Sequence, residues 1–254
     1  MKFSAVKELL EFKFEEFNAH HFIETDPISI PHQFSRKQDI EISALLVATI
    51  AWGNRTMIIN NGKKLLRIMG ESPYEFIMEY GGNKKAIDLQ FVHRTFNNED
   101  LHFFLKGLNK IYTENESLED VFRAHPDFPG VKGRIISFRE KMLQTDHLQR
   151  SEKHISNPAK NSAAKRINMF LRWMVRKDAS GVDFGIWDTI DSADLYLPLD
   201  VHTGNVARKL KLLKRKQNDW KAVDELMLKL RKMDPKDPVK YDFALFGLGV
   251  FDDF

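Results

Sequence analysis

The chain has 254 residues, enough for one large domain or two small interleaved ones, and its 39 Lys and Arg leave a formal charge of only +3. That balance permits a nucleic-acid partner without demanding one. There is no cysteine, which excludes disulfides, thiolate zinc sites and iron–sulfur clusters, and no apolar run reaches transmembrane length.

Only nine prolines and 13 glycines interrupt the chain, and no stretch alternates with period two. The expectation is therefore an all-α protein. Residues 3–18 place Phe3, Val6, Leu9, Leu10, Phe14 and Phe17 on one face. This amphipathic, Lys- and Glu-rich beginning is unlike a signal peptide, so a soluble cytoplasmic protein is expected. A loop with Pro27 and Pro31 follows. Residues 38–51 are apolar most of the way round, as in a helix buried in a core. Further helices are expected at 56–69, 73–79, 84–90, 98–112 and 117–123. The turn Phe128-Pro129-Gly130 precedes a helix over 133–143. His20-His21 and Asp146-His147 fit no metal-ligand spacing.

The second half carries two segments with chemistry in them. In the first, Asn157, Pro158 and Asn161 break the chain, and Ser162 is a good N-cap for the helix that follows. That helix turns Ala164, Ile167, Phe170, Leu171 and Met174 inward and sets Lys165, Arg172 and Arg176 on the opposite stripe, at spacings of seven and four. A lysine in a first helical turn meets the positive end of the helix dipole, and a neutral amine is what a nucleophile needs. In the second segment, Leu197-Pro198-Leu199 leads to Asp200, after which Val206, Leu210 and Leu213 recur at helical spacing. Asp200 is an N-cap by type, since its carboxylate accepts from the first unpaired N–H groups. On residue chemistry alone, the plainer readings come first: Lys165 as a phosphate-contacting or solvated lysine, and Asp200 as a cap and nothing more. The basic run Lys209–Lys216 reads as a DNA-backbone contact or as a solvated helix end.

Pro198, Leu199, Asp200, Val201, His202, Arg208 and Leu210 fall in the order of the Pro-Val-Asp-Thr-His-x-x-Arg segment of the helix-hairpin-helix DNA glycosylase superfamily, in which the Asp is the catalytic acid. Trp220–Leu230 resembles the next helix of that superfamily. Tyr241–Gly249 resembles its closing helix, which packs back on the catalytic Asp. Residues 155–176 resemble the archaeal 8-oxoguanine DNA glycosylases, where a degenerate hairpin leads to a lysine matched here by Lys165. Overall the chain is most similar to a bacterial family related to those archaeal enzymes. The Phe128–Arg134 turn looks like the superfamily's Gly-rich hairpin but lacks the Asp motif after it.

The resemblance implies a two-lobed helix-hairpin-helix glycosylase-like fold. Residues of about 38–150 would form one lobe, and 1–37 with 151–254 the other. It implies a monomeric base-excision DNA glycosylase with associated lyase activity, acting on double-stranded DNA that contains a damaged base, with oxidised guanine the candidate by analogy. Lys165 would be the nucleophile and Asp200 the catalytic acid, with their charged ends within about 8 Å, a range over which each influences the other's charge. Trp52, at the position of the superfamily's wedging Gln, would form a base pocket with Asn54, Phe251 and Phe254, and Asp252 and Asp253 would accept from a base edge. Alternatively, Trp52 is a core residue ending a helix, and the tail is a frayed terminus. DNA contacts would come from Lys160, Ser162, Arg166, His202, Asn205 and Arg208. No metal, cofactor or membrane is implied. A catalytically silent nucleic-acid-binding module or a helical scaffold are the alternatives.

Overall fold

The structure, a computed structural model, describes residues 2–81, 89–177, 179–252 and 254. Among them the regular elements are helical, so the protein is all-α. In chain order the α-helices are α1 (Phe3–Phe17), α2 (His20–Thr25), α3 (Lys37–Thr49), α4 (Arg55–Ile68), α5 (Pro73–Tyr80), α6 (Asn98–Glu114), α7 (Gly130–Leu143), α8 (Lys165–Val175), α9 (Val201–Lys209), α10 (Trp220–Met233) and α11 (Tyr241–Val250). The helix expected at 84–90 falls largely outside the described residues. No described helix is long and apolar enough to cross a membrane.

The chain divides into two compact units, Met1–Glu24 with Pro158–Phe254, and Thr25–Asn157. The expected lobe bounds of 38 and 150 thus become 25 and 157. The second unit is built on α3, buried from Ile40 through Thr49 as its apolar sequence requires. One buried acid punctuates that helix. Glu41 accepts from the hydroxyls of Tyr112 (2.7 Å) and Ser117 (2.5 Å) and from the Leu118 N–H (3.1 Å). These bonds explain one departure from expectation. Residues 117–123 form a short 3₁₀ turn, Leu118–Val121, because Ser117 and Asp120 close a capping box there and Phe122 leaves helical geometry at once. The loop with Pro27 and Pro31 is likewise two 3₁₀ turns, Pro27–Ser29 and Pro31–Gln33, entered from α2.

In the first unit, α11 lies between α1 and α9, and two glycines set how close it comes. A Cβ at Gly247 would fall 2.1 Å from the Phe17 ring, and one at Gly249 would fall 3.1 Å from Val206 Cγ2 and 3.2 Å from His202 Cβ. Backbone approaches that tight need glycine. α9 ends at Lys209, shorter than the apolar spacing suggested. Leu212 and Leu213 are buried beyond its end, after Lys211 takes a left-handed φ of 61°.

Candidate active site

α8 begins immediately after a strained hinge. Asn161 (φ 64°) and Ala164 (φ 50°) both take left-handed backbone, which an alanine adopts only under constraint. The constraint is visible. Asn161 accepts from the N–H groups of Trp220 (3.1 Å, at its carbonyl) and Lys221 (3.3 Å, at Oδ1), while its side-chain amide donates to Asp219 Oδ2 (2.9 Å). The turn is thereby fastened to the start of α10. Ser162 is not the N-cap expected of it. Its hydroxyl accepts from the Ala164 N–H (3.2 Å), bending the chain two residues ahead, and Ala164 occupies the cap position. Lys165 is then the first helical residue.

Asp200 is the N-cap of α9, and its two carboxylate oxygens divide their work. Oδ1 accepts from the Thr203 N–H (2.9 Å), while Oδ2 lies 3.9 Å from Lys165 Nζ. The separation is inside the ~8 Å expected of groups that influence each other's charge. The Lys165 and Asp200 side chains retain 30% and 19% exposure, so the pair is half-buried but reachable. Arg208 and Asn218 brace the cap from behind. Asn218 donates to the Asp200 carbonyl (2.8 Å), and Arg208 donates to Asn218 Oδ1 (2.5 Å) and to the Arg215 carbonyl (2.8 Å). Arg208 thus acts on Asp200's own support. Of the other residues expected to meet DNA, Lys160, His202 and Asn205 are exposed and Ser162 and Arg166 half-buried, burial pushing the Arg166 guanidinium down to about 10.

The stripe of α8 that carries Lys165 is not a solvated one. Arg172 and Arg176 are 4% and 1% exposed in their side chains. Arg172 pairs with Asp183 (3.2 Å) and Asp242, and Arg176 with Asp183 (3.1 Å) and Asp237 (2.9 Å). These acids lie up to seventy positions away in sequence, so the local pattern around α8 cannot announce them. Asp242 does leave a trace: it is the one acid in the otherwise apolar run Tyr241–Val250, and a carboxylate there demands a partner. Burial pushes Asp242 up to about 7 against the pull of Arg172, and the neighbouring Asp200 carboxylate adds to the rise.

The residues expected to form a base pocket are not all of one kind. Trp52, half-buried, stacks on His154 (centroids 5.8 Å, 28° between planes) and meets His93 edge-on (4.9 Å). Its carbonyl oxygen lies 3.1 Å from His93 Nε2. Asn54 is exposed and caps α4, accepting from the Met57 N–H (3.1 Å). Phe251 and Phe254 belong to the other compact unit. Phe251 stacks on Phe17 (5.6 Å), the Phe254 N–H donates to the Leu248 carbonyl (3.0 Å), and Asp252 pairs with Lys13 (2.7 Å). The Asp252 carboxylate, expected at a base edge, is therefore held against α1. Asp253 lies outside the described residues. Among the described residues no group of three potential ligands is arranged to hold a metal ion.

The model of the family described as "Protein of unknown function (DUF2400)" matches residues 26–251. The chain belongs to that family. No curated protein and no solved structure matches it. The DUF2400 match takes in α3 through α11, and with them Lys165, Asp200 and the buried charges behind them.

Proposed function

We propose that this protein is a base-excision DNA glycosylase with an associated lyase step, folded as a two-lobed helix-hairpin-helix enzyme and acting on double-stranded DNA that contains a damaged base. One observation carries the reading: the Lys165 amine and the Asp200 carboxylate meet at 3.9 Å, each at the start of its helix, in a site that is half-buried. The positive ends of the α8 and α9 dipoles both lie at this pair, which suits a phosphate-bearing substrate. The exposed Lys160, His202 and Asn205 lie on the same two segments.

An enzyme reaches the glycosidic carbon only after the nucleotide leaves the stack, so the substrate is an extruded base. Lys165 attacks the anomeric carbon and the glycosidic bond breaks. The amine then goes on to a Schiff base, whose formation permits strand cleavage. Asp200, its Oδ1 fixed by the cap, turns Oδ2 toward the positive charge that develops on sugar and amine.

Borohydride trapping on duplexes carrying different lesions tests the reading, because only a Schiff-base enzyme is captured. The wild-type protein is expected to be trapped and Lys165→Gln not, while duplex binding by the variant stays within a few fold, at most one phosphate contact being lost. Duplex binding by a wild-type protein that is trapped on no lesion and on no abasic site would identify a silent nucleic-acid-binding module instead.

A further inference from the structure

The reaction proposed above leaves one buried acid unused, and it stands behind the reacting pair. Asp242 opens α11, the helix that packs on α9, and is ion-paired with Arg172, seven residues after Lys165 on the same stripe of α8. The charged groups that face it are Lys165 and Arg172 from α8, Asp183 from the segment that follows, and Asp200 from the cap of α9. Arg176 and Asp237 extend the network on the far side, and His202 of α9 lies beside Gly249, two turns along α11. From α1, Glu11 is taken up by the Tyr241 hydroxyl and Lys240, and Lys240 also holds Asp234.

Lys165, Arg172 and Arg176 are three cations; Asp183, Asp200, Asp237 and Asp242 are four carboxylates. With Lys165 charged, one proton held among the acids makes this cluster neutral. Once Lys165 has given up its own proton to become the attacking amine, one negative charge remains in excess, which favours keeping a proton on an acid. Burial raises both Asp237 and Asp242, and at Asp242, pushed up to about 7, the Asp200 carboxylate adds to the rise, so Asp242 beside the reacting pair is the acid that shares this proton near neutral pH. Two acids in one site, one committed to a helix cap and the other holding a proton, form the pattern of an acid–base pair.

We propose that Asp242 is the proton donor of this site, delivering its proton to the base as it departs; the assignment rests on the glycosylase reading. Lys165, as the neutral amine, forms a bond from Nζ to the anomeric carbon while the glycosidic carbon–nitrogen bond breaks. The electron pair of that bond passes to the base nitrogen side, and the base takes the proton from the Asp242 carboxyl. The positive charge remains on the Lys165 nitrogen, opposite Asp200, and the new Asp242 carboxylate is matched by Arg172. A preformed abasic site has no base to release and bypasses the step.

Comparing Asp242→Asn with Asp242→Glu on two duplexes, one with a damaged base and one with a preformed abasic site, separates this role from a structural one. Asp242→Asn is expected to slow base release by about 10²-fold or more, the usual worth of a positioned proton donor. Its borohydride trapping on the abasic duplex should stay within about threefold, and Asp242→Glu should recover much of the base release. In the wild type, base release should fall as the pH rises above about 7. A carbon-13 titration of the wild-type carboxyl should place Asp242 there as well. Equal losses on both duplexes, no loss on either, or an Asp242 that titrates in the ordinary carboxylate range would overturn its role while leaving Lys165 trapping intact. A wild-type protein trapped on neither duplex would instead overturn the glycosylase reading, and the donor assignment with it, whatever the titration shows.

Discussion

Asp100 and Asp242 are both buried aspartates paired with an arginine, yet their surroundings drive them in opposite directions. Burial alone raises an acid's pKa. At Asp100 that push is outweighed. The carboxylate accepts from the Ser151 hydroxyl (2.6 Å), the Asn97 N–H (2.9 Å) and Arg150 Nη1 (2.8 and 2.9 Å to its two oxygens), with His154 Nε2 at 3.3 Å, and its pKa is lowered. At Asp242 the push prevails, because its cation, Arg172, is shared with Asp183 and the Asp200 carboxylate stands nearby. The first acid is supplied with enough donors to remain charged and hold α6 to its neighbours. The second meets Arg172 in the opposing field of Asp183 and Asp200, with Lys165 also among the charges that act on it. The donors gathered around Asp100 and the carboxylates gathered around Asp242 decide which acid stays charged and which keeps a proton.

The sharpest test of this contrast is the pH dependence of stability. Asp242 has a folded pKa of about 7, above its unfolded value of about 3.9. Its favourable contribution is therefore full below about pH 4 and lost as the pH rises through 7. Three pKa units correspond to about 4 kcal/mol as a ceiling. Relative to wild type, Asp242→Asn should gain stability between pH 5 and pH 8, as read by urea unfolding at both. A difference that does not change with pH would mean that Asp242 is ionised throughout. Asp100 has the opposite sign. Its contribution is present above the unfolded pKa and is lost as the pH falls through the lowered folded value. Asp100→Ala should cost about 3 kcal/mol at pH 7, since it strips partners from several buried donors at once, and less in acid. A loss under about 1 kcal/mol at pH 7 would show that Arg150, Ser151 and His154 find other partners.

The contrast also shows what a sequence displays. Helices α1, α3 and α8 follow from apolar spacing, and Asp200 as a cap follows from residue type and the helix behind it. These are local facts, within one or two turns. Asp242 could be seen as an acid in an apolar helix, but the meaning of Arg172 and Arg176 could not. Their partners at 183, 237 and 242 come from three separate segments, and without them the two arginines read as a solvated stripe. The same holds for Trp52. Whether it is stacked or free depends on His93 and His154, brought to it by tertiary folding. Ser162 failed as a cap for a smaller reason: Ala164, in left-handed backbone, intervenes before α8, and nothing local distinguishes that turn from a direct helix start.

A smaller effect separates the two duties of Asp200. Asn is as good an N-cap as Asp, whereas Ala is not. Asp200→Asn should change stability by less than about 0.5 kcal/mol and Asp200→Ala should cost about 1 kcal/mol. On the glycosylase reading both should lose most base release, because neither offers a negative charge at the position of Oδ2. If Asp200→Asn kept full turnover, the carboxylate would be a cap and nothing more.

The smallest effect is expected where a carboxylate is neither buried nor short of partners. Asp252 pairs with Lys13 at 2.7 Å near the end of the chain, and its side chain is 32% exposed. That pair raises the Lys13 pKa chiefly through the hydrogen bond to Asp252, but water and salt screen such contacts. Asp252→Ala should therefore lower stability by about 0.5 kcal/mol, near the middle of the range for exposed ion pairs, and about 1 M salt should erase the difference. The Phe251–Phe17 stack, which the substitution leaves in place, should keep the tail on α1. Base release by Asp252→Ala should then match wild type. A loss of activity without a loss of stability would mean that this carboxylate leaves Lys13 to meet the substrate, and that the resting contact with α1 is only one of its two positions.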